Sequence, residues 1–335
     1  MVTGVQTCAL PILNVKLETP TAVLKAREAK KGMNWFLEIL VFGLVYLAVS
    51  IGESVLMLPG MVFVMLTNPE VIAAAMTGDT AQVEQALLGL GSSDALMVCM
   101  LFANLAMIGI VMLFCKVVQK RKMNTLGFVK KNMGREYLKG LGFGFLLFSA
   151  AVLLCVVTGS LKLKGISPDF APGMFLLFVL GFLIQGMAEE VLCRGYFLVS
   201  FGRRHSMWAA ALANALLFAM LHLGNDGVSP LALINLTLFG IFASVYFIKS
   251  GNIWGIGAFH SIWNLAQGNF YGIRVSGIVT TCSVLASSPV EGRSLINGGS
   301  FGLEGGLAVT VVLLAGTAFL LWKHPAREPR REMEL

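Results

Sequence analysis

The sequence predicts an all-α, polytopic membrane protein: a helical bundle of about eight transmembrane helices with both termini in the cytoplasm. Of its 335 residues, 56% are hydrophobic and only 13% are charged, which is about half the charged fraction of a soluble domain. The apolar residues fall into runs near the ~20 residues that cross a bilayer. Of the 25 Lys and Arg residues, 21 lie on one set of alternating sides of these runs. This asymmetry indicates which sides face the cytoplasm.

The predicted spans follow one another with short connections, except near the N-terminus and before the last span. The eight spans are residues 35–58, 95–115, 138–158, 173–194, 207–223, 230–248, 252–268 and 306–322. The first apolar run continues through Pro59 to about Leu66, which is too long for one straight span, so we expect a kink or an interfacial tail there. The external segment 67–93 is rich in Ala and predicts short surface helices. The external segment 269–305 is rich in Gly and Ser and ends in GGSFGLEGG.

The chain divides into a membrane domain and short flanking segments. Residues 1–12, MVTGVQTCALPI, resemble a translated sequencing adapter and are interpreted as non-native. Residues 13–34 are predicted to be a cytoplasmic segment and residues 323–335 a basic cytoplasmic tail. The membrane domain covers residues 35–322, with its signature core at about 135–270.

The net charge of +7 does not predict a nucleic-acid partner, because the basic residues lie beside the spans as membrane topology requires. The expected partners are the lipid bilayer and whatever peptide or membrane protein the site accepts. The oligomeric state does not follow from the sequence. We predict a multi-pass protein of a cell membrane, the bacterial cytoplasmic membrane.

The fourth span carries two adjacent acids and a base. Ionisable residues are expensive inside a bilayer and usually mark function there. Glu190 and Arg194 are four residues apart and share a helix face, so they can form an ion pair. Glu189 points about 100° away and is free to face a cavity. One carboxylate beside a guanidinium can stay ionised and act as a general base toward water. The alternative is an ion pair that only holds helices together.

Two later spans carry histidines in otherwise apolar surroundings. His222 follows Phe218 as FxxxH, and His260 precedes Asn264 as HxxxN. A neutral His inside a membrane can relay a proton or donate a hydrogen bond. His260 and Asn264 lie on one helix face, so two donors converge as an oxyanion requires. Taken singly, each His could equally be a polar contact between helices.

Zinc is an alternative for the same residues. Two His and one Glu are a ligand set that can hold zinc with an open coordination position. The sequence contains no HExxH, and each candidate ligand comes from a different helix. We therefore predict no metal and no other cofactor.

The three motifs, taken together, resemble a known signature. EExxxR (Glu189, Glu190, Arg194), FxxxH and HxxxN occur in this order on separate spans. They are similar to those of the CPBP family, the CAAX prenyl endopeptidases and bacteriocin-processing intramembrane proteases, also called Abi. Cys193 is a mild departure, since an aromatic residue is commoner there.

The resemblance implies an intramembrane endopeptidase with a metal-independent glutamate mechanism. In that mechanism Glu189, with His222, activates a water, and His260 and Asn264 stabilise the oxyanion. Glu190 and Arg194 orient and charge-balance the site.

Two other classes of function remain as alternatives to the peptidase. One is a non-catalytic immunity or scaffold protein of the same fold that binds a peptide or a partner protein. The other is a proton-coupled transporter, which would show broken helices in two related halves; no such repeat is evident in the sequence.

One expectation conflicts with the motifs. With the boundaries above and a rise of ~1.5 Å per residue, Glu189 lies near the cytoplasmic end of its span, and His222 lies toward the outer end of the next. Straight helices with these boundaries would keep the two residues apart.

Overall fold

The computed structural model describes residues 17–90 and 93–323, and these residues are predominantly helical. The predicted adapter-like segment and nearly all of the basic C-terminal tail lie outside the described residues. The helices are α1 Thr21–Ala29, α2 Trp35–Thr67, α3 Pro69–Thr77, α4 Thr80–Leu90, α5 Asp94–Ala103, α6 Leu105–Val117, α7 Met133–Val157, α8 Pro172–Glu190, α9 Val199–Gly202, α10 Met207–Met220, α11 Pro230–Ser250, α12 Trp254–Leu265, α13 Ser294–Asn297 and α14 Leu307–Lys323.

Within the described residues, five helical stretches are long and apolar enough to cross a membrane: Trp35–Thr67, Asp94–Val117, Met133–Val157, Pro172–Gly202 and Pro230–Ser250. The other three predicted spans correspond to the shorter helices α10, α12 and α14. The chain is therefore a multi-pass helical membrane protein, with helices at all eight predicted positions and five of full spanning length.

Local sequence explains where several helices begin. The side chains of Asn34, Ser206 and Ser229 accept hydrogen bonds from the first-turn amides of α2, α10 and α11, as N-cap residues do. Proline occupies the first turn of α8 and α11, where its missing N–H costs nothing. Helix α2, the first predicted span, does not end at Pro59 but continues through it to Thr67.

The fourth predicted span, which begins as α8, is longer than the sequence predicted. Its α-helical part ends at Glu190, but a π-helical segment, Val191–Leu198, continues it into α9. The helical stretch thus covers 31 residues, Pro172–Gly202, and Glu189 lies well inside it rather than near its end. The predicted boundary that would have kept Glu189 apart from His222 ended this span eight residues early, and the motifs are given precedence over it.

A small β-sheet is the exception to the all-α prediction. Strand β1, Leu161–Ile166, pairs antiparallel with β2, Leu285–Pro289. Both strands lie in segments that the sequence predicted as connections. Their pairing joins the segment after α7 to the long segment before α14.

Helix α12 lies at the centre of the bundle, packed against α7 on one side and α8 on the other. Glycines permit both contacts. A β-carbon on Gly140 or Gly144 of α7 would collide with the α12 backbone, and one on Gly186 of α8 would collide with the backbone nitrogen of Ser261. Small residues allow membrane helices to approach at backbone distance, and here they fix α12 from two sides. Buried aromatic rings, including Phe148 and Trp263 at 5.0 Å between centroids, fill the adjoining core.

Candidate active site

A buried ion pair joins the end of α8 to the π segment that follows it. Arg194 Nη1 donates to Glu190 Oε1 at 2.8 Å, and both side chains are fully buried. Arg194 also donates to the carbonyl of Gly240 at 3.3 Å and lies 5.0 Å from the centre of the Phe218 ring. The predicted i,i+4 pair is present, and the ring and the carbonyl provide further contacts for the cation. Such a charge is held in place, because moving it would leave a buried charge unpaired.

Glu190 also fixes the first histidine. His260 Nδ1 lies 2.8 Å from the same Glu190 Oε1. A carboxylate oxygen accepts, so Nδ1 carries the proton and Nε2 is directed away from Glu190. Nε2 lies 3.6 Å from Glu189 Oε2. The His260 ring packs against Phe239, with 4.8 Å between ring centroids. The two adjacent acids thus contact opposite nitrogens of one imidazole.

Gln185 connects the two remaining groups on this side. Gln185 Nε2 donates to Glu189 Oε1, and Asn264 Nδ2 donates to Gln185 Oε1 at 3.0 Å. Sequence reasoning missed Gln185, although it is a polar residue one helical turn before Glu189 inside an apolar span. An amide supplies a donor and an acceptor at once, so Gln185 sets the orientation of both neighbours. One N–H of Asn264 remains available for another acceptor.

His222 lies one turn beyond Phe218, just after the end of α10. Its Nδ1 is 2.8 Å from the carbonyl oxygen of Phe218. A carbonyl only accepts, so Nδ1 is the donor and the lone pair is on Nε2. The FxxxH spacing therefore selects the tautomer: the backbone of the first residue binds the ring of the last.

These side chains surround a cavity of about 440 Å³. Of the six predicted site residues, Glu189, His222, His260 and Asn264 line it, whereas Glu190 and Arg194 lie behind the wall. Glu189 keeps 21% of its side chain exposed, so the cavity reaches its carboxylate. Helix α2 contributes Tyr46, Ser50, Glu53, Ser54 and Met57 to the wall of the cavity.

The segment before α14 closes part of the cavity. Glu304, from the GGSFGLEGG stretch, accepts hydrogen bonds from Trp263 Nε1 at 3.1 Å and from the amide and hydroxyl of Ser276 at 2.9 and 2.6 Å. Asn225 donates to the carbonyl of Ser276 at 2.9 Å. Ser276 and Glu304 both line the cavity. The long segment is thereby bound to the same helix, α12, that carries His260 and Asn264.

Of the three helices that carry motif residues, α8 and α12 continue as π-helix. The α8 segment changes at Val191, and α12 changes at Ala266, two residues after Asn264. π turns inside α-helices occur frequently at functional sites. The first π segment is supported by Arg121, which is buried and donates to the carbonyls of Gly195 at 2.8 Å and Thr125 at 2.9 Å. Burial lowers the pKa of Arg121 to about 10, which leaves it charged at neutral pH.

A metal ion has no evident place among these groups. No set of three or more His, Cys, Asp or Glu side chains within residues 17–90 and 93–323 is arranged to hold one. The nitrogens of His260 that would bind zinc face Glu190 and Glu189.

The comparison with known proteins bears on the same residues. Residues 171–266 match the family model described as "Type II CAAX prenyl endopeptidase Rce1-like". No curated protein and no solved structure matches the chain. The matched range contains EExxxR, FxxxH and HxxxN with all six predicted site residues. Over this range the chain carries the sequence pattern of the Rce1-like CAAX protease family, and the recognition made from the three motifs is confirmed.

Proposed function

We propose that the protein is an intramembrane endopeptidase, which hydrolyses a peptide bond of a membrane-associated protein or peptide with water activated by Glu189. One observation carries the proposal: Glu189, His222, His260 and Asn264, from three separate motifs, line a single cavity inside the helical bundle. The family match supports the reaction class and a peptide or protein substrate.

Glu189 is the general base of this mechanism. Its carboxylate reaches the cavity, Gln185 donates to its Oε1, and His260 Nε2 lies 3.6 Å from its Oε2. The water oxygen attacks the carbonyl carbon while Glu189 takes a proton from the water. The unprotonated Nε2 of His222 is a second acceptor for that water. The proton on Glu189 then passes to the amine nitrogen as the C–N bond breaks, which leaves a carboxylic acid and an amine.

His260 and Asn264 stabilise the oxyanion. Asn264 has one N–H free of Gln185. His260 uses Nδ1 for Glu190, so donation from Nε2 requires a ring that carries both protons. Glu190 faces that ring, and Arg194 balances the charge of Glu190. The buried pair therefore positions a catalytic donor without touching the substrate.

The central test is the replacement Glu189→Gln. We expect turnover of a synthetic peptide library, measured by mass spectrometry, to fall by at least ~100-fold, the usual contribution of a positioned base. The side chains are nearly equal in size, so expression and membrane insertion are retained. Glu136→Gln is the matched control, since Glu136 pairs with Lys139 at the surface. Near-normal proteolysis by the Glu189→Gln enzyme would contradict the proposal.

We further propose eight spans with both termini in the cytoplasm, in the bacterial cytoplasmic membrane. The eight apolar segments and the distribution of Lys and Arg support this orientation. A topology reporter fused after Arg135 is expected to read cytoplasmic, and one inserted near Asp79 to read external. The reverse pattern would invert the orientation.

A further inference from the structure

The cavity wall formed by α2 carries a polar stripe that no motif predicts. On α2, Ser50 lies four residues after Tyr46, and Glu53 and Ser54 lie three and four residues after Ser50; all four line the cavity. Residues at this spacing share one helix face. The stripe therefore lines the same cavity as the motif residues of α8 and α12.

The two serine hydroxyls of the stripe are engaged within their own helix. Ser50 Oγ donates to the carbonyl of Tyr46 at 3.0 Å, and Ser54 Oγ donates to the carbonyl of Ser50 at 2.8 Å. Each hydroxyl has one proton to donate, so neither serine has a proton left for Glu53. Glu53 Oε1 is buried and has no hydrogen-bond partner among the described residues. A buried carboxyl oxygen without a donor requires an explanation.

The other two acids on the cavity wall differ in this respect. Glu189 is held by Gln185 and His260, and Glu304 is held by Trp263 and Ser276. Glu53 is the cavity acid whose buried oxygen the described chain leaves without a donor. Among the described residues that line the cavity there are three glutamates and neither Lys nor Arg.

Packing does not account for Glu53 either. The adjacent Gly52 makes the close contact of α2 with α6, against Ala106 and Ile110. The two helices approach through this glycine, not through the glutamate. A change confined to the Glu53 carboxyl group therefore leaves that helix contact in place.

Resting on the proposed peptidase function, we propose that Glu53 is a specificity-determining residue that binds a cationic side chain, Lys or Arg, of the substrate near the scissile bond. The substrate supplies the N–H donor that the described residues do not provide, and the ammonium or guanidinium balances the negative charge of the cavity. Hydrogen bonds between charged partners are among the stronger ones. An acidic substrate residue at the same place meets repulsion instead.

The test uses two sets of synthetic peptides that differ only in Lys or the isosteric, uncharged norleucine at each position in turn. Wild-type enzyme is expected to show one position, relative to the cleaved bond, at which Lys is cleaved about tenfold or more faster than norleucine. In Glu53→Gln this ratio falls to about threefold or less. In Glu136→Gln, the same swap away from the cavity, the wild-type ratio remains.

Three results would overturn the proposal: no Lys preference in the wild type, an unchanged ratio in Glu53→Gln, or an equal loss of turnover for both peptide sets. The last would mean that Glu53 acts on the chemical step. The same peptides are also bound to Glu189→Gln and to Glu189→Gln with Glu53→Gln. If the wild type cleaves none of them but binding prefers Lys only when Glu53 is present, the peptidase function fails and the specificity role stands. Without cleavage and without a binding preference, both proposals fall.

Discussion

The two walls of the cavity differ in how completely their polar groups are connected. On the α8 and α12 side, Glu190, Arg194, His260, Gln185 and Glu189 form a continuous set of contacts. On the α2 side, the serines bond their own backbone. In the most apolar 18-residue stretch of α2, 17% is buried inside the protein, against 50% in the corresponding stretch of Pro172–Gly202. These contacts give the α8 and α12 wall the fixed geometry that catalysis needs, whereas the α2 wall leaves Glu53 Oε1 without a donor among the described residues.

The largest expected effect comes from breaking the connected wall at its ion pair. Glu190→Leu leaves Arg194 buried without its counter-ion, so we expect a loss of stability of about 3–5 kcal/mol, measured by thermal or denaturant unfolding in detergent. The double variant Glu190→Leu with Arg194→Met removes both charges and is expected to recover most of that loss. It should stay inactive, because His260 has lost the acceptor for Nδ1. Recovery of activity by the double variant would show that the pair is structural only.

Asn264→Ala tests the same wall at its cavity surface. We expect kcat to fall roughly 10²-fold while substrate affinity changes little, because the oxyanion develops only in the transition state. Measuring binding and product formation on the same preparation separates the two. A binding or scaffold protein has no transition state, so unchanged biological activity in both Asn264→Ala and Glu189→Gln would favour that function.

A smaller effect is expected where the two catalytic helices touch. Gly186→Ala forces α8 away from Ser261 of α12, and overpacking of this kind costs about 1–3 kcal/mol. Turnover should fall with it, because Glu189 and His260 lie on the two helices. Gly43→Ala on α2 is the control, since nothing lies within 4 Å of the added carbon. Equal stability and equal turnover of the two variants would mean that the contact between α8 and α12 accepts the added carbon at no cost.

No effect is expected from chelation. Extended treatment with a chelator should leave turnover unchanged, and purified protein should hold far less than one zinc per chain by elemental analysis. Stoichiometric zinc that restores activity when it is added back would change Glu189, His222 and His260 from acid–base groups to ligands.

Sequence patterns predicted the helical elements and the Glu190–Arg194 pair because both depend on local order. Apolar run length predicts a span, and i,i+4 spacing predicts the Glu190–Arg194 pair. The predicted end of the fourth span was wrong, because Arg194 was taken as the boundary. Arg194 lies inside the π segment Val191–Leu198, which continues the helical stretch to Gly202. The pairing of β1 with β2 joins strands far apart in sequence, which periodicity does not report.

The residues that the motifs missed are those whose role depends on the tertiary fold. Gln185, Glu53 and Arg121 are single polar residues, and each is defined by the groups around it. Gln185 contacts Asn264 and Glu189, Glu53 lines the cavity, and Arg121 donates to a carbonyl of the first π segment. Glu304 lies in a Gly-rich stretch that the sequence singled out without a chemical role.

The backbone contacts of α12 have a mechanical consequence. Two helices separated by side chains can slide when those side chains change rotamer, but at Gly140, Gly144 and Gly186 there is no such layer between the helices. Helices α7, α8 and α12 are therefore expected to move as one rigid body, so that any widening of the cavity comes from its other lining elements, α2 among them. Pairs of spin labels are expected to keep a constant distance between α7 and α12 when a peptide binds, and to show a changed distance between α2 and α12.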